Sequence, residues 1–345
     1  MTLAEQIQAL SEAIGVPGDE IEVRRKIMSL LPEGCTRRTD ALGNLLIEKK
    51  GAQTPAKPIM VSAHMDEPGL MVENVDLTGG VKFAVSGTID LQTLPGRRVW
   101  IVSKGERIPG VIGIKPIHVL KGTDPDGPVP ADDLFIDIGM DKREETEKLI
   151  NPGDSVAFMG ETDLFGDRMI RGRALNSRSG CAVLLALLEQ DLPFDITAVV
   201  TVQRETGSIG MKTAAFQVQP GAAVAIEACP AAELPALKAK KDSPKLGEGP
   251  VLSLREQRSF YDKQLFFRCQ ELAEQEKIPV QIKTAAFGTG DGVAAQSAGG
   301  GTRVLELGIP SRYISTPCCV QSLKDLEYLS NLLPPLVNML GKELS

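Results

Sequence analysis

Strand and helix signals alternate along this chain, except between about residues 70 and 160, where short strands follow one another almost without helices. That interruption constrains the fold more than any other feature. Before it, two amphipathic helices are expected near 3–14 and 19–31, then the β-rich stretches DALGNLLIEKK and KPIMVSAH. Within it, VKFAVSG, RRVWIVS, RIPGVIGI, LFIDIG and DSVAFMG are separated by Gly/Pro turns, with one helical stretch, DKREETEKLI. Such a run predicts a small barrel or sandwich inserted into the chain. After about 165, MIRGRAL leads into the helix RSGCAVLLALLE. There follow ITAVVTV, AAVAIEA, VLSL, the long helix SFYDKQLFFRCQELAEQEK, VQIKTA, RVLELG and a C-terminal helical segment expected to break at Pro334-Pro335. Alternation of this kind builds an α/β sheet with helices on both faces. The expected plan is an α/β domain from 1–68 and 164–345, interrupted by a β-domain over 69–163.

Composition narrows the function classes. A chain of 345 residues exceeds one ordinary core, and its 42% apolar and 24% charged residues are typical of soluble proteins. No apolar run reaches the roughly 18 residues that span a bilayer. MTLAEQIQALSEAIG reads as an amphipathic helix without the basic start or cleavage site of a secretory signal. Six cysteines without CxxC spacing read as reduced thiols in the cytoplasm. The net charge of −7 argues against a nucleic-acid or membrane partner.

Four segments carry the chemistry. His64-Met65-Asp66-Glu67-Pro68-Gly69 closes the apolar strand IMVSA, and in His-x-Asp both side chains point the same way, so the carboxylate can orient a metal-binding imidazole or a bound water. Arg173 to Cys181 runs from a strand into a helix with an expected Asn/Ser cap. Thr201-Val202-Gln203-Arg204-Glu205-Thr206-Gly207 is the third and Pro310 to Pro317 the fourth. His64, Glu205 and Glu227 each close a predicted strand (IMVSAH, VVTVQRE, VAIE), which places them on one rim.

In this order the segments resemble the glutamyl-aminopeptidase and tetrahedral-aminopeptidase family, metallopeptidase family forty-two. Gly110-Val111-Ile112-Gly113 through His118, Asp133 to Gly139, Asn151-Pro152-Gly153-Asp154 and Lys245 to Pro250 extend the resemblance over nearly the whole chain. It implies a zinc-aminopeptidase-like mixed sheet flanked by helices, with an inserted β-barrel or sandwich that covers the site and mediates assembly. It also implies two zinc or cobalt ions and release of N-terminal residues from peptides.

Carried over position by position, the resemblance gives metal ligands at His64 and Glu205 and an orienting carboxylate at Asp66. Glu227 stands in place of an aspartate ligand. Asn176 stands where a bridging aspartate belongs, Arg204 where the general base belongs, and Ser315 where the last histidine ligand belongs. An amide cannot bridge two metals as a carboxylate does, and serine removes a strong imidazole donor. A guanidinium cannot accept a proton, and at ~5 Å from a dication, with an effective dielectric of ~20, it adds roughly 7 kcal/mol of repulsion.

The sequence therefore predicts a family scaffold with none or one weakly bound metal, lost or greatly weakened peptidase activity and a peptide-binding or scaffold role, assembled as a homo-oligomer. Arg204 is expected to pair with Asp66, Glu205 or Glu227. The alternative is an active aminopeptidase with one metal on His64 and Glu227, with or without Glu205, and Asp66 as proton acceptor. Glycoside cleavage by Asp66 and Glu205 lacks an aromatic sugar platform, since the chain has one Trp and three Tyr. His118 reads as structural, Asp291 either as part of the Gly-Gly-Thr-Asp segment that the resemblance places near the pocket or as a turn residue, and Cys318-Cys319 as two buried small residues.

Overall fold

Two helices open the chain, α1 (Leu3–Ser11) and α2 (Ile21–Leu30). In α1 the Thr2 hydroxyl accepts from the Glu5 amide while the Glu5 carboxylate accepts from the Thr2 amide, a capping box that satisfies two orphan donors. Strands β1 (Cys35–Thr39), β2 (Leu45–Lys49) and β3 (Ile59–His64) follow. The barrel strands come next: β4 (Gly69–Val75), β5 (Val81–Ser86), β6 (Arg98–Ser103), β7 (Glu106–Ile114), β8 (Leu134–Asp137) and, after helix α3 (Arg143–Leu149), β9 (Ser155–Phe158). The remainder is β10 (Asp163–Phe165), β11 (Met169–Gly172), α4 (Leu175–Leu188), β12 (Ile196–Thr201), α5 (Ile209–Val218), β13 (Ala222–Pro230), β14 (Val251–Ser253), α6 (Lys263–Gln275), β15 (Gln281–Lys283), α7 (Asp291–Gln296), β16 (Arg303–Ser311), β17 (Cys319–Ser322) and α8 (Leu323–Leu344). This computed structural model describes residues 1–115, 129–234, 243–284, 288 and 290–345.

The main sheet has eight strands in the order β1-β2-β12-β3-β13-β16-β14-β15, parallel through β12, β3, β13 and β16 and antiparallel at β1/β2, β2/β12 and β14/β16. Its central strand IMVSAH is buried along its whole length, as a strand covered on both faces must be. Helix α4 is buried almost throughout, and Gly180 lets it approach the sheet: a Cβ there would meet Ala63 and Ile226 at 3.3 Å. The strands from β4 to β9 close into a barrel in the order β4-β5-β8-β7-β6-β9 around Leu70, Val81, Ile101, Ile136 and Val156. Of the two expectations for this region, barrel or sandwich, the chain forms the barrel, which leaves no strand edge open.

Three local expectations need correction. Helix α8 does not break at Pro334-Pro335 but continues for 22 residues. Leu332, Leu333, Leu336, Val337 and Leu340 are all buried around the prolines, and that packing outweighs the lost hydrogen bonds. Helix α4 lacks the expected Asn/Ser side-chain cap: it starts from Ala174 in the left-handed conformation (φ 60°), and the Ser177 hydroxyl donates back to the Ala174 carbonyl. Cys318 is exposed and only Cys319 is buried, because the strand that buries Cys319 begins at that residue.

Helix α5 ends at Gln219, whose φ of 50° is left-handed. Glycine adopts that geometry without the Cβ clash, so Gln219→Gly is expected to raise the unfolding free energy by ~1 kcal/mol, measured by urea denaturation. A loss of stability would contradict the assignment of strain to this cap.

Candidate active-site cleft

Parallel register aligns the rim. His64 pairs with Thr201 across β3 and β12, and Ala63 pairs with Ile226 across β3 and β13, so Glu227 is the next residue beyond that pairing, level with His64. Only His64 closes its strand as expected. Strand β12 stops at Thr201 and the chain then turns through Gln203 (φ 54°), which leaves Glu205 in the turn. Strand β13 runs on to Pro230 with Glu227 inside it, because its pairing with β16 continues to Ser311 after β3 has ended.

That turn brings two backbone amides to one carboxylate. Asp66 is fully buried and accepts from the Arg204 amide (3.0 Å) and the Glu205 amide (2.8 Å), with His64 Nδ1 at 3.4 Å. Burial opposes its ionisation, yet His64 and these amides outweigh it and hold its pKa below the ordinary value. Burial alone would lower the His64 pKa, but the bond with Asp66 and the charge of Glu227 push it up to about 9. A metal ligating this imidazole would have to displace its proton, which weakens binding at neutral pH.

The Arg204 side chain lies between the two other carboxylates. Its Nη1 is 3.3 Å from Glu205 Oε1 and its Nε is 3.2 Å from Glu227 Oε2. Both carboxylate side chains are 4% exposed. Burial disfavours the guanidinium charge, but Glu227 and Glu205 hold its pKa above the ordinary arginine value. The Asn176 amide donates to the same Glu205 oxygen at 2.9 Å, so its NH₂ is the group turned toward the cluster. Glu227 Oε1 accepts from the Asp291 amide at 2.8 Å, and His64 Nε2 is 3.9 Å from Glu227 Oε2. Ser315 (φ 72°) lines the same cleft of about 310 Å³. The structure thus brings His64, Asp66, Asn176, Arg204, Glu205, Glu227 and Ser315 to one place. His118 lies outside the described residues.

These side chains do not fit the dinuclear zinc or cobalt centre that the resemblance implies. Glu205 Oε1 instead accepts from the guanidinium and the Asn176 amide, Glu227 Oε1 accepts from a backbone amide, and Glu227 Oε2 faces the Arg204 guanidinium. No group of three or more His, Cys, Asp or Glu among the described residues is arranged to hold a metal ion. Three ligands are the usual minimum for catalytic zinc.

Asp291 is a helix residue rather than a turn residue. It begins α7, is 2% exposed, and accepts from the Thr201 hydroxyl at 2.5 Å; burial and the charge of Glu227 raise its pKa to about 7. Two charged lining residues were missed by sequence reasoning. Glu256 and Lys283 reach the cleft and pair at 3.4 Å, with Glu306 Oε1 4.0 Å from Lys283 and the Tyr261 hydroxyl donating to Glu306. The available signal was a charge within short apolar strand segments, as in VLSLRE, VQIK and RVLELG. Burial and the Glu256 charge, opposed by Lys283, raise the Glu306 pKa from 4.5 to about 8. A carboxyl held neutral by the fold contributes stability below its unfolded pKa and loses it as pH rises through the folded value. Wild-type unfolding free energy is therefore expected to fall between pH 4.5 and about 8 more steeply than that of Glu306→Gln. Parallel slopes in urea titrations across that window would contradict this.

A mixed sheet with helices on both faces, a closed barrel, and a His/Asp/Glu cleft at the sheet rim define an aminopeptidase-type scaffold. The chain belongs to the M42 glutamyl aminopeptidase family, whose model matches residues 43–332. It is 33% identical to FrvX of Escherichia coli (strain K12) over 345 residues, which covers 98% of this chain and 96% of FrvX. Aminopeptidase APDkam598 from the archaeon Desulfurococcus kamchatkensis superimposes with a TM-score of 0.92 at 29% identity, covering 98% of this chain and 94% of that one. The TET1 peptidase of Pyrococcus horikoshii, described as assembling into a tetrahedron or a large octahedral shell, gives a TM-score of 0.86 at 28% identity, covering 97% of this chain and 99% of that one.

Proposed function

We propose that this family member has exchanged its metal centre for an internal ion-pair cluster and no longer hydrolyses peptides, while its cleft binds them. The observation that carries this reading is the Arg204 guanidinium set between Glu205 and Glu227 at 3.3 and 3.2 Å. A permanent cation occupies the charge-balancing role, and no proton acceptor stands at the general-base position. His64, Glu205 and Glu227 are the residual ligand residues, Asn176 and Ser315 the substituted ones, and Asp66 a buried acceptor that fixes the turn.

Residues 69–163 form the inserted lid and assembly unit between 1–68 and 164–345. In support, the barrel strands fall within that span, and Thr88, just after β5, lines the cleft. A homo-oligomer follows from the shells described for the TET1 relative. A reducing, cytoplasmic setting fits the six free cysteines.

One observation favours a second reading, an active single-metal enzyme: His64 Nε2 and Glu227 Oε2 converge at 3.9 Å, and that oxygen accepts no hydrogen bond. Turnover of aminoacyl chromogenic substrates with zinc or cobalt supplied separates the two. The proposal expects no hydrolysis above buffer, with peptide binding retained. Hydrolysis that a chelator abolishes, with one metal bound per chain, would establish the single-metal enzyme.

A further inference from the structure

A second depression, of about 440 Å³, adjoins the cleft, and Arg204, Glu205 and Thr88 line both. Two more cations line it: Lys212, from the first turns of α5, and Arg258, from the segment after β14. Both are exposed. Every other cation near the cleft is compensated, Arg204 by Glu205 and Glu227, and Lys283 by Glu256. Lys212 and Arg258 form no ion pair or side-chain hydrogen bond with any described residue, and the one carboxylate in the depression, Glu205, is taken by Arg204 and Asn176. The rest of the lining is small, with Gly207, Ser208, Gly290 and Ser297 leaving room for a ligand among the charges.

We propose that this depression is a binding site for a multiply charged oxyanion, inorganic phosphate or a small phosphomonoester. Arginine presents a planar fork matched to phosphate oxygens, and lysine adds a mobile point charge, so two cations stand against a dianion. A monocarboxylate or chloride gains less, having one charge to share between two separated cations. The site does not depend on whether the cleft hydrolyses peptides, since neither Lys212 nor Arg258 belongs to the carboxylate cluster.

Calorimetric titration of the full chain with inorganic phosphate, at constant ionic strength and with chloride as control, tests it. Saturable phosphate binding without a chloride counterpart is expected, weakened at least tenfold in Lys212→Gln and at least a hundredfold in Lys212→Gln/Arg258→Gln. Both side chains are exposed, so the variants should melt like wild type. If the double variant fails to fold, Arg258→Gln alone carries the measurement, again with a tenfold loss expected. A phosphomonoester binding tighter than phosphate would assign the ligand to the ester. Chloride-like response to phosphate, or wild-type affinity in the folded variants, would overturn the site.

Discussion

Arg204→Ala is expected to lower the unfolding free energy by about 3–5 kcal/mol at neutral pH, the range found when one partner of a buried ion pair is removed. Glu205 and Glu227, each 4% exposed, would lose their guanidinium while Asp66 stays buried beside them. Three clustered carboxylates without a compensating cation raise one another's pKa values. A carboxylate whose folded pKa rises costs stability above its unfolded pKa and recovers it on protonation. The deficit of the variant should therefore shrink as pH falls toward 4, although wild type loses its own ion pairs there. Urea denaturation of both proteins across this range reads the effect directly. Equal stability near pH 7 would mean that the guanidinium does not hold the cluster together.

Arg204→Glu combined with Asn176→Asp and Ser315→His is expected to create metal binding and peptidase activity. The first change replaces a fixed cation with a proton acceptor. The second replaces an NH₂ donor, now 2.9 Å from Glu205 Oε1, with an anionic oxygen for each metal. The third returns an imidazole donor to the rim. Removing the guanidinium and supplying two donors also releases the Glu205 and Glu227 oxygens that Arg204 now occupies. Cobalt affinity should rise at least a hundredfold over wild type, with hydrolysis of aminoacyl chromogenic substrates appearing alongside it. If the folded triple variant binds no cobalt, these three positions do not account for the proposed loss of metal binding.

The site was legible in sequence where a residue type and a strand end coincide. His64 closes a fully buried strand, and its partner Asp66 two residues later follows from extended geometry. Glu227 was legible as a residue but not as a position, because β13 continues along β16 after β3 has stopped. Pairing between distant strands cannot be read from VAIE alone. The ion pairs of Arg204 were expected from charge balance, but the part played by Asn176 was misread locally: a cap was expected, whereas its amide turns to Glu205 and Ala174 takes the strained start of the helix. The unbroken α8 shows the same limit from another side, since Pro334-Pro335 is a strong local signal that five buried aliphatic neighbours override. Glu256, Lys283 and Glu306 were invisible as a group because they lie on three separate segments that meet only in the folded sheet.

The most direct test is a metal titration of the purified wild-type protein with zinc and with cobalt, read by calorimetry and elemental analysis after desalting. With Arg204 seated between Glu205 and Glu227, neither metal should remain bound. Two equivalents per chain retained after desalting, accompanied by release of N-terminal residues from peptides, would contradict the account.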